Sequence, residues 1–265
     1  MNLWGSFETL LSDLSGPVRN LLDSFLPPTG HHNGDYGAGY AIRDDGYLAL
    51  TDLANALGAD EGAARDVVDR LLKIRVLRRG LLLNCERCRW EAFYRIEHVG
   101  SSFTCAACEH SSLLRQERWY KADTEPAWYY SLDQVVRDLL RQHGDVPLLA
   151  ANKLREGSSS FLWSPELTVQ TQRRPAEIDL CLIIDGRIVV GEAKSNGKLS
   201  VGGGTSRPAA KLVGAAEILT ADEIVLATSE PAWVPGTRRA VERAVADRWT
   251  RGPLPKITEL VNVGA

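Results

Sequence analysis

At 265 residues, with 44% apolar and 25% charged residues, the chain has the composition of an ordinary globular protein of one large domain or a few small ones. Its net charge of −3 removes any overall basic field that would announce nucleic-acid binding, although local patches count for more than the sum. No apolar run approaches the roughly 20 residues of a membrane span, and Met1 to Leu14 lacks the basic-then-apolar pattern of a secretory signal, so a cytoplasmic location with no membrane partner is expected.

Residues 1–45 read as one or two helices, with Leu10, Leu11, Leu14, Leu21, Leu22 and Phe25 at helical spacing and an interruption at Gly16-Pro17. A linker rich in Gly, His and Asp follows; His31 and His32 could take a metal or simply be solvated. The segment also suits the stub of a longer, partner-regulated protein. Residues 46–84 read as strand, helix, helix, strand. Thr51 is placed to cap the first helix. The second, from about Asp60 to Ile74, carries Ala64, Val67, Val68, Leu71 and Leu72 on one stripe, and Val76 to Leu83 reads as a hairpin. This order resembles a winged helix-turn-helix. Such modules bind DNA through the second helix, but Glu61, Arg65, Asp66, Asp69 and Arg70 mix both signs, which favours a structural or protein-contact role.

Residues 85–125 hold Cys85-Glu-Arg-Cys88 and Cys105-Ala-Ala-Cys108, with 16 residues between the knuckles (89–104). Each knuckle lets two thiolates bite one tetrahedral ion, which is zinc-ribbon spacing. Because cysteine fills all four positions, a Zn²⁺ there is structural and offers no site to substrate. Arg87, Arg89 or Arg95 of the ribbon could touch nucleic acid, and His110 is a substitute ligand or a surface residue. Cys181, the fifth cysteine, reads as core.

Residues 126–265 read as a final domain. A capping box, Ser131-x-x-Gln134, opens a helix over Leu132 to Leu140, and a shorter helix covers Val146 to Arg155. An extended strand with a break near Pro165 leads to the most informative stretch. There Glu177-Ile-Asp179-Leu and Gly191-Glu192-Ala193-Lys194 flank Asp185-Gly186, a strong two-residue hairpin signal. Counting back from the turn sets Asp179 opposite Glu192 and Glu177 opposite Lys194, all on one face. Like charges so placed destabilise a sheet, and a bound cation would resolve the conflict. A solvated strand face with a Glu177–Lys194 ion pair is the plain alternative, but the run Leu180 to Val190 is apolar enough for an inner strand, where charges need a reason. Next come a glycine-rich loop at 201–206, an alanine-rich helix to about Leu219, a strand at Glu223–Thr228, a helix over 237–249 and a strand over 256–261. The loop lacks the Gly-Lys-Ser/Thr of a Walker motif. Lys198, Arg207 and Lys211 beside it are candidate contacts to a nucleic-acid backbone; a plain exposed linker is the other reading.

The element order, with Asp179, Glu192 and Lys194, resembles the PD-(D/E)XK nuclease superfamily, whose restriction-endonuclease-like fold is a mixed α/β (α+β) sheet flanked by helices. The resemblance spans roughly residues 126–230. The proline of the family name is absent: Pro175 lies four residues before Asp179, where Ile178 is adjacent, and Glu177-x-Asp179 suits the branch written "EiDl". Phosphodiester cleavage needs an activated water and charge relief on the phosphoryl oxygens, both of which Mg²⁺ or Mn²⁺ supplies. Asp179 and Glu192 would be its hard oxygen ligands with the Ala193 carbonyl, Lys194 would orient water or stabilise negative charge, and Glu177 would support the site or a second metal. Relatives add an acid from the first helix, which implies Asp133. Gln170 and Gln172 on the preceding strand would reach the scissile phosphate.

The sequence thus leads to a Mg²⁺-dependent nuclease acting on DNA, of prokaryotic defence or DNA-processing type, in four parts: 1–45, 46–84, 85–125 and 126–265. The rival is a non-catalytic adaptor whose ribbon and winged helix bind a partner or nucleic acid.

Overall fold

A computed structural model describes residues 4–26, 41–42, 46–120, 125–170, 175–199 and 204–264. The chain is a mixed α/β protein that divides into two compact units, Met1–Gln142 and His143–Ala265. Among the described residues no helix is long and apolar enough to cross a membrane.

The first unit opens with α1 (Phe7–Asp13) and α2 (Gly16–Asp23); they are separated at Leu14-Ser15, and the Gly16-Pro17 pair expected to interrupt them instead opens α2. Short strands β1 (Ala41–Ile42) and β2 (Tyr47–Ala49) precede α3 (Leu50–Leu57) and α4 (Glu61–Lys73). The cap of α3 comes from Asp52 rather than Thr51: its carboxylate accepts the Ala49 N–H at 3.0 Å. Asp60 caps α4 through the Ala63 N–H at 2.9 Å. Then come β3 (Leu77–Asn84), β4 (Glu91–Arg95), β5 (Ser102–Thr104), β6 (Ser111–Leu113), β7 (Tyr129–Leu132) and α5 (Gln134–Arg141).

Three expectations are corrected in this unit. Val76 to Leu83 is not a hairpin but one strand, β3. Its Gly80 marks a close approach rather than a turn, because a Cβ there would lie 2.1 Å from the Tyr94 carbonyl oxygen and 2.8 Å from the Phe93 ring. The ribbon segment is not a separate body, since β4 joins β3 in a five-stranded sheet of order β1-β4-β3-β7-β2, leaving β5-β6 as a separate two-stranded sheet. Residues 126–142 belong here rather than with the last domain. Tyr129–Leu132 is a strand bonded to both β2 and β3, Ser131 lies inside it, and Asp133 is the cap that opens α5.

Two buried charged side chains of this unit find hydrogen-bond partners. Asp13 takes a two-pronged bond from Arg70 at 2.7 and 2.8 Å and the Trp4 indole N–H at 3.0 Å. Arg137, fully buried, donates to the Phe25 and Gly46 carbonyls at 3.2 and 2.9 Å.

The second unit runs α6 (Asp145–Arg155), β8 (Phe161–Val169), β9 (Ala176–Ile184), β10 (Arg187–Lys194), α7 (Ser206–Ile218), β11 (Glu223–Thr228), α8 (Thr237–Arg248) and β12 (Lys256–Leu260). Its sheet has the order β12-β11-β10-β9-β8. The β8-β9-β10 part is antiparallel, and β10, β11 and β12 run parallel, joined through α7 and α8. The Asp185-Gly186 turn has positive φ at both positions, 49° and 79°, as a two-residue hairpin requires. The expected break near Pro165 is absent: β8 is continuous, with a left-handed residue at Glu166, φ 45°.

α6 packs along β8 to β11, and α7 packs on α8 and on β9 and β10. Every residue of β11 is buried. Ile178, Val190, Ile224 and Leu226 meet Ala209, Leu212, Val213 and Ala216 of α7 in one apolar core. Gly191 is required where β10 passes β11, because a Cβ there would sit 2.3 Å from the Val225 carbonyl oxygen. That close contact fixes the strand just before Glu192.

Candidate functional site

The hairpin register holds from Arg187–Ile184 through Gly191–Leu180 and then stops. Asp179 therefore does not pair directly with Glu192 as the count predicts. Its carboxylate instead closes the end of the ladder, accepting the Ala193 N–H at 2.9 Å and the Lys194 ammonium at 2.6 Å. Lys194 also meets Glu192 at 2.9 Å. The expected Glu177–Lys194 pair is thus replaced by a lysine gripped between Asp179 and Glu192. Glu192 and Lys194 lie two apart on β10, so their side chains share a face. Both carboxylates are mostly covered, with side chains 16% and 14% exposed against 35% for Lys194.

The electrostatics show excess negative charge held in poor solvent. Burial, with Asp179 adding to it and Lys194 opposing it, pushes Glu192 up to about 7. Burial lowers the Lys194 pKa, but Glu192 and Asp179 outweigh it and raise it to about 12. The ammonium is therefore charged at neutral pH and neutralises one of two facing carboxylates. A hard divalent cation asks for carboxylate oxygens converging on a point, and Asp179 and Glu192 converge on the Lys194 Nζ. Together they make a donor set of two carboxylates. Among the described residues it does not form a close trio of carboxylates; the group of three or more candidate ligand atoms that do converge is the cysteine cluster.

One acid beside this group was missed from the sequence. Glu166 on β8 lies in register with Asp179, between the pairs Pro165–Leu180 and Leu167–Ile178. Its carboxyl is hydrogen-bonded to Glu177, which is the main reason its pKa is raised; Asp179 adds to the effect and Lys194 opposes it. The β9–β10 register could be counted from a two-residue turn, but residues 170–175 lie between β8 and β9 in the sequence without an Asp-Gly-type signal from which that pairing could be counted.

Asp133 belongs to the first unit. One oxygen caps α5 through the Val135 N–H at 3.1 Å, and the other accepts Arg78 Nε and Nη2 at 3.0 and 2.7 Å. Both its oxygens are engaged there, and the acid that the fold sets beside Asp179 is Glu166. Gln170 is exposed just past the end of β8, while Gln172 falls outside the described residues. Ala193 is buried, with its N–H given to Asp179. Lys198 is exposed in the loop after β10, and Arg207 and Lys211 are exposed four residues apart on the first turns of α7. Most of the glycine-rich loop (201–203), His31 and His32 lie outside the described residues. Cys181 is half-buried, and burial raises its thiol pKa.

The four ribbon cysteines come together as the spacing requires. Their sulfurs all lie within 4.8 Å of one another, with Cys85–Cys108 and Cys88–Cys105 each 3.6 Å apart. A tetrahedral ion with metal–sulfur bonds of about 2.3 Å sets its sulfurs about 3.8 Å apart, so the cluster could hold a metal such as zinc. Each knuckle closes by a backbone bond over a left-handed residue: Arg89 N–H to the Cys85 carbonyl and Glu109 N–H to the Cys105 carbonyl, at φ 61° and 58°. The Ala107 N–H and the Ser112 hydroxyl point at the Cys105 and Cys85 sulfurs. Without a cation the four sulfurs cannot all ionise. Burial pushes Cys85 up, yet the Cys88 and Arg87 N–H groups and the Cys108 thiol bring it down to about 6. At Cys88 the Trp90 N–H pulls down, while burial and the neighbouring sulfurs push it up to about 12. His110 is not a ligand: its Nε2 meets Glu86 at 2.9 Å.

No family model, curated protein or solved structure matches this chain.

Proposed function

We propose that this protein is a metal-dependent nuclease that hydrolyses phosphodiester bonds of DNA, with a PD-(D/E)XK-type centre in the second unit and a structural zinc ribbon beside a winged-helix-like segment in the first. One observation carries the reading: Asp179 and Glu192 approach a common point, with Lys194 Nζ 2.6 and 2.9 Å from them. A lysine and two carboxylates held this way, one with its pKa pushed up to about 7, form a site built to accept positive charge.

Asp179 and Glu192 would hold Mg²⁺ or Mn²⁺, which when bound supplies charge relief at the phosphoryl group and acidifies water. Lys194, with a pKa of about 12, is a poor proton acceptor at neutral pH, so its role is to orient the attacking water and offset the negative charge that develops. With a divalent ion held by the two carboxylates, the Lys194 ammonium would be free to turn to the substrate. Lys198, Arg207 and Lys211 are exposed cations available to the phosphate backbone. The mixed sheet, in which an antiparallel hairpin carrying the charges leads into parallel strands, is compatible with the restriction-endonuclease-like fold.

The test is incubation of purified protein with single- and double-stranded DNA and RNA in Mg²⁺ or Mn²⁺. DNA should be nicked or degraded, and Asp179→Ala and Lys194→Ala should each abolish cleavage. Cleavage that survives both substitutions, or intact nucleic acid under every condition, sinks the reading. Intact nucleic acid would leave the ion-paired strands as part of a non-catalytic adaptor.

A further inference from the structure

We propose that the four-cysteine centre is an oxidation-sensitive clasp: Cys88 attacks hydrogen peroxide, Cys105 closes the disulfide, and the metal is released. The proposal rests on the zinc reading above. Its basis is the asymmetry of the four sulfurs. Cys85 and Cys105 are buried, Cys108 is half-buried, and Cys88 is exposed. Cys88 lies between Arg87 and Arg89, both exposed and without an ion-pair partner among the described residues. Cys108, the other reachable sulfur, lies between Ala107 and the exposed Glu109. Neighbouring guanidinium groups offset the negative charge that departs as hydroxide when the peroxide O–O bond breaks, and a neighbouring carboxylate does the opposite. Exposure and charge thus select the same sulfur.

The second step is set by distance. Cys105 Sγ lies 3.6 Å from Cys88 Sγ, on the other knuckle. The Cys88 thiolate attacks the peroxide, forming an S–O bond as the O–O bond breaks and hydroxide leaves. The Cys105 thiolate then attacks the Cys88 sulfur, forming the S–S bond as the S–O bond breaks and a second hydroxide leaves. Two electrons pass from the two sulfurs to the peroxide, and each hydroxide takes a proton to become water. Cys85 and Cys108 alone do not make a tetrahedral site, so the metal dissociates.

The metal's role is to tie two turns together. Cys85 and Cys88 flank the β3–β4 turn, and Cys105 and Cys108 flank the β5–β6 turn. Once it leaves, the small sheet depends on the new disulfide and on packing such as the Tyr94–Phe103 ring pair, centroids 4.9 Å apart. The disulfide keeps the knuckles adjacent, so reduction restores the site.

The experiment uses the full chain loaded with zinc. Hydrogen peroxide is added, and a chromophoric chelator reads the zinc released while peptide mapping locates the disulfide. One zinc per chain should be released with a Cys88–Cys105 bond formed. Cys88→His keeps four ligands and should retain zinc but release it about tenfold more slowly. Arg87→Gln with Arg89→Gln should slow release without changing zinc content. Release from Cys88→His at the unaltered rate, a disulfide that excludes Cys88, or zinc retained under peroxide overturns the proposal. A chain that carries no zinc before peroxide refutes the zinc reading and this proposal with it.

Discussion

Replacing Lys194 by Met removes the ammonium that separates Asp179 from Glu192 and keeps most of the packing volume of the chain. Removing one partner of a fully buried pair costs about 3–5 kcal/mol. Lys194 is 35% exposed, so solvent already screens part of the attraction, and about 1–3 kcal/mol is the appropriate range here. The loss should depend on pH. In the folded wild type Glu192 has a pKa of about 7 against an ordinary value of 4.5, so the folded state holds an extra proton between those values, and stability falls as pH rises through that window. Lys194 is one of the influences that hold the Glu192 value down. Without it the value moves higher, and the falling limb extends to more alkaline pH. At pH 6 the variant can protonate Glu192 and limit its loss. Above 7 it must hold a proton that the wild type has released, which widens the gap by up to about 1.4 kcal/mol per pH unit. Because the chain has two compact units, the readout should be local: amide exchange in β9 and β10 at pH 6 and pH 9, with and without Mn²⁺. The gap between variant and wild type should be larger at pH 9 and should narrow when Mn²⁺ replaces the missing charge. An equal gap at both pH values would refute the claim that the ammonium neutralises this pair.

Further outcomes follow from other parts of the structure. Gly191→Ala places a methyl 2.3 Å from the Val225 carbonyl oxygen, so the second unit should lose about 1–3 kcal/mol or rearrange; an unchanged melting profile would contradict the close strand passage. Asp133→Asn weakens the Arg78 ion pair at 2.7 Å and should destabilise the first unit by about 1–3 kcal/mol while leaving DNA cleavage in place, whereas loss of cleavage with full stability would return Asp133 to the catalytic group. Purified protein should carry one zinc per chain, as elemental analysis would show. Cys85→Ser should lose both the metal and the β5–β6 fold, since structural zinc contributes about 10–16 kcal/mol to small domains of this kind; a metal-free, folded ribbon would rule the centre out.

Short-range features were legible in the sequence. The Asp185-Gly186 turn is a two-residue problem, and its register follows by counting as far as Gly191–Leu180. The cysteine knuckles are likewise local, since two left-handed residues and two backbone bonds close them. Misreadings arose where the decisive partner is distant. Val76 to Leu83 looked like a hairpin, because the strand that crowds Gly80, β4, lies across the sheet. Ser131-x-x-Gln134 looked like a capping box, because nothing local says that Tyr129–Leu132 is wanted as a strand between β2 and β3.

What the sequence alone determined is the inventory and its local geometry: four thiols in two knuckles, and Asp179, Glu192 and Lys194 on neighbouring strands. Alternation of side chains and tight turns are backbone properties, so they could be read from spacing. The tertiary structure decided which charges meet. It ended the ladder after Gly191–Leu180, turned Lys194 to Asp179 and Glu192 rather than to Glu177, brought Glu166 alongside, and committed Asp133 to Arg78 in the first unit. Those outcomes depend on where strands stop and which sheet recruits them, and both are settled by long-range hydrogen bonding and packing rather than by neighbours in the chain.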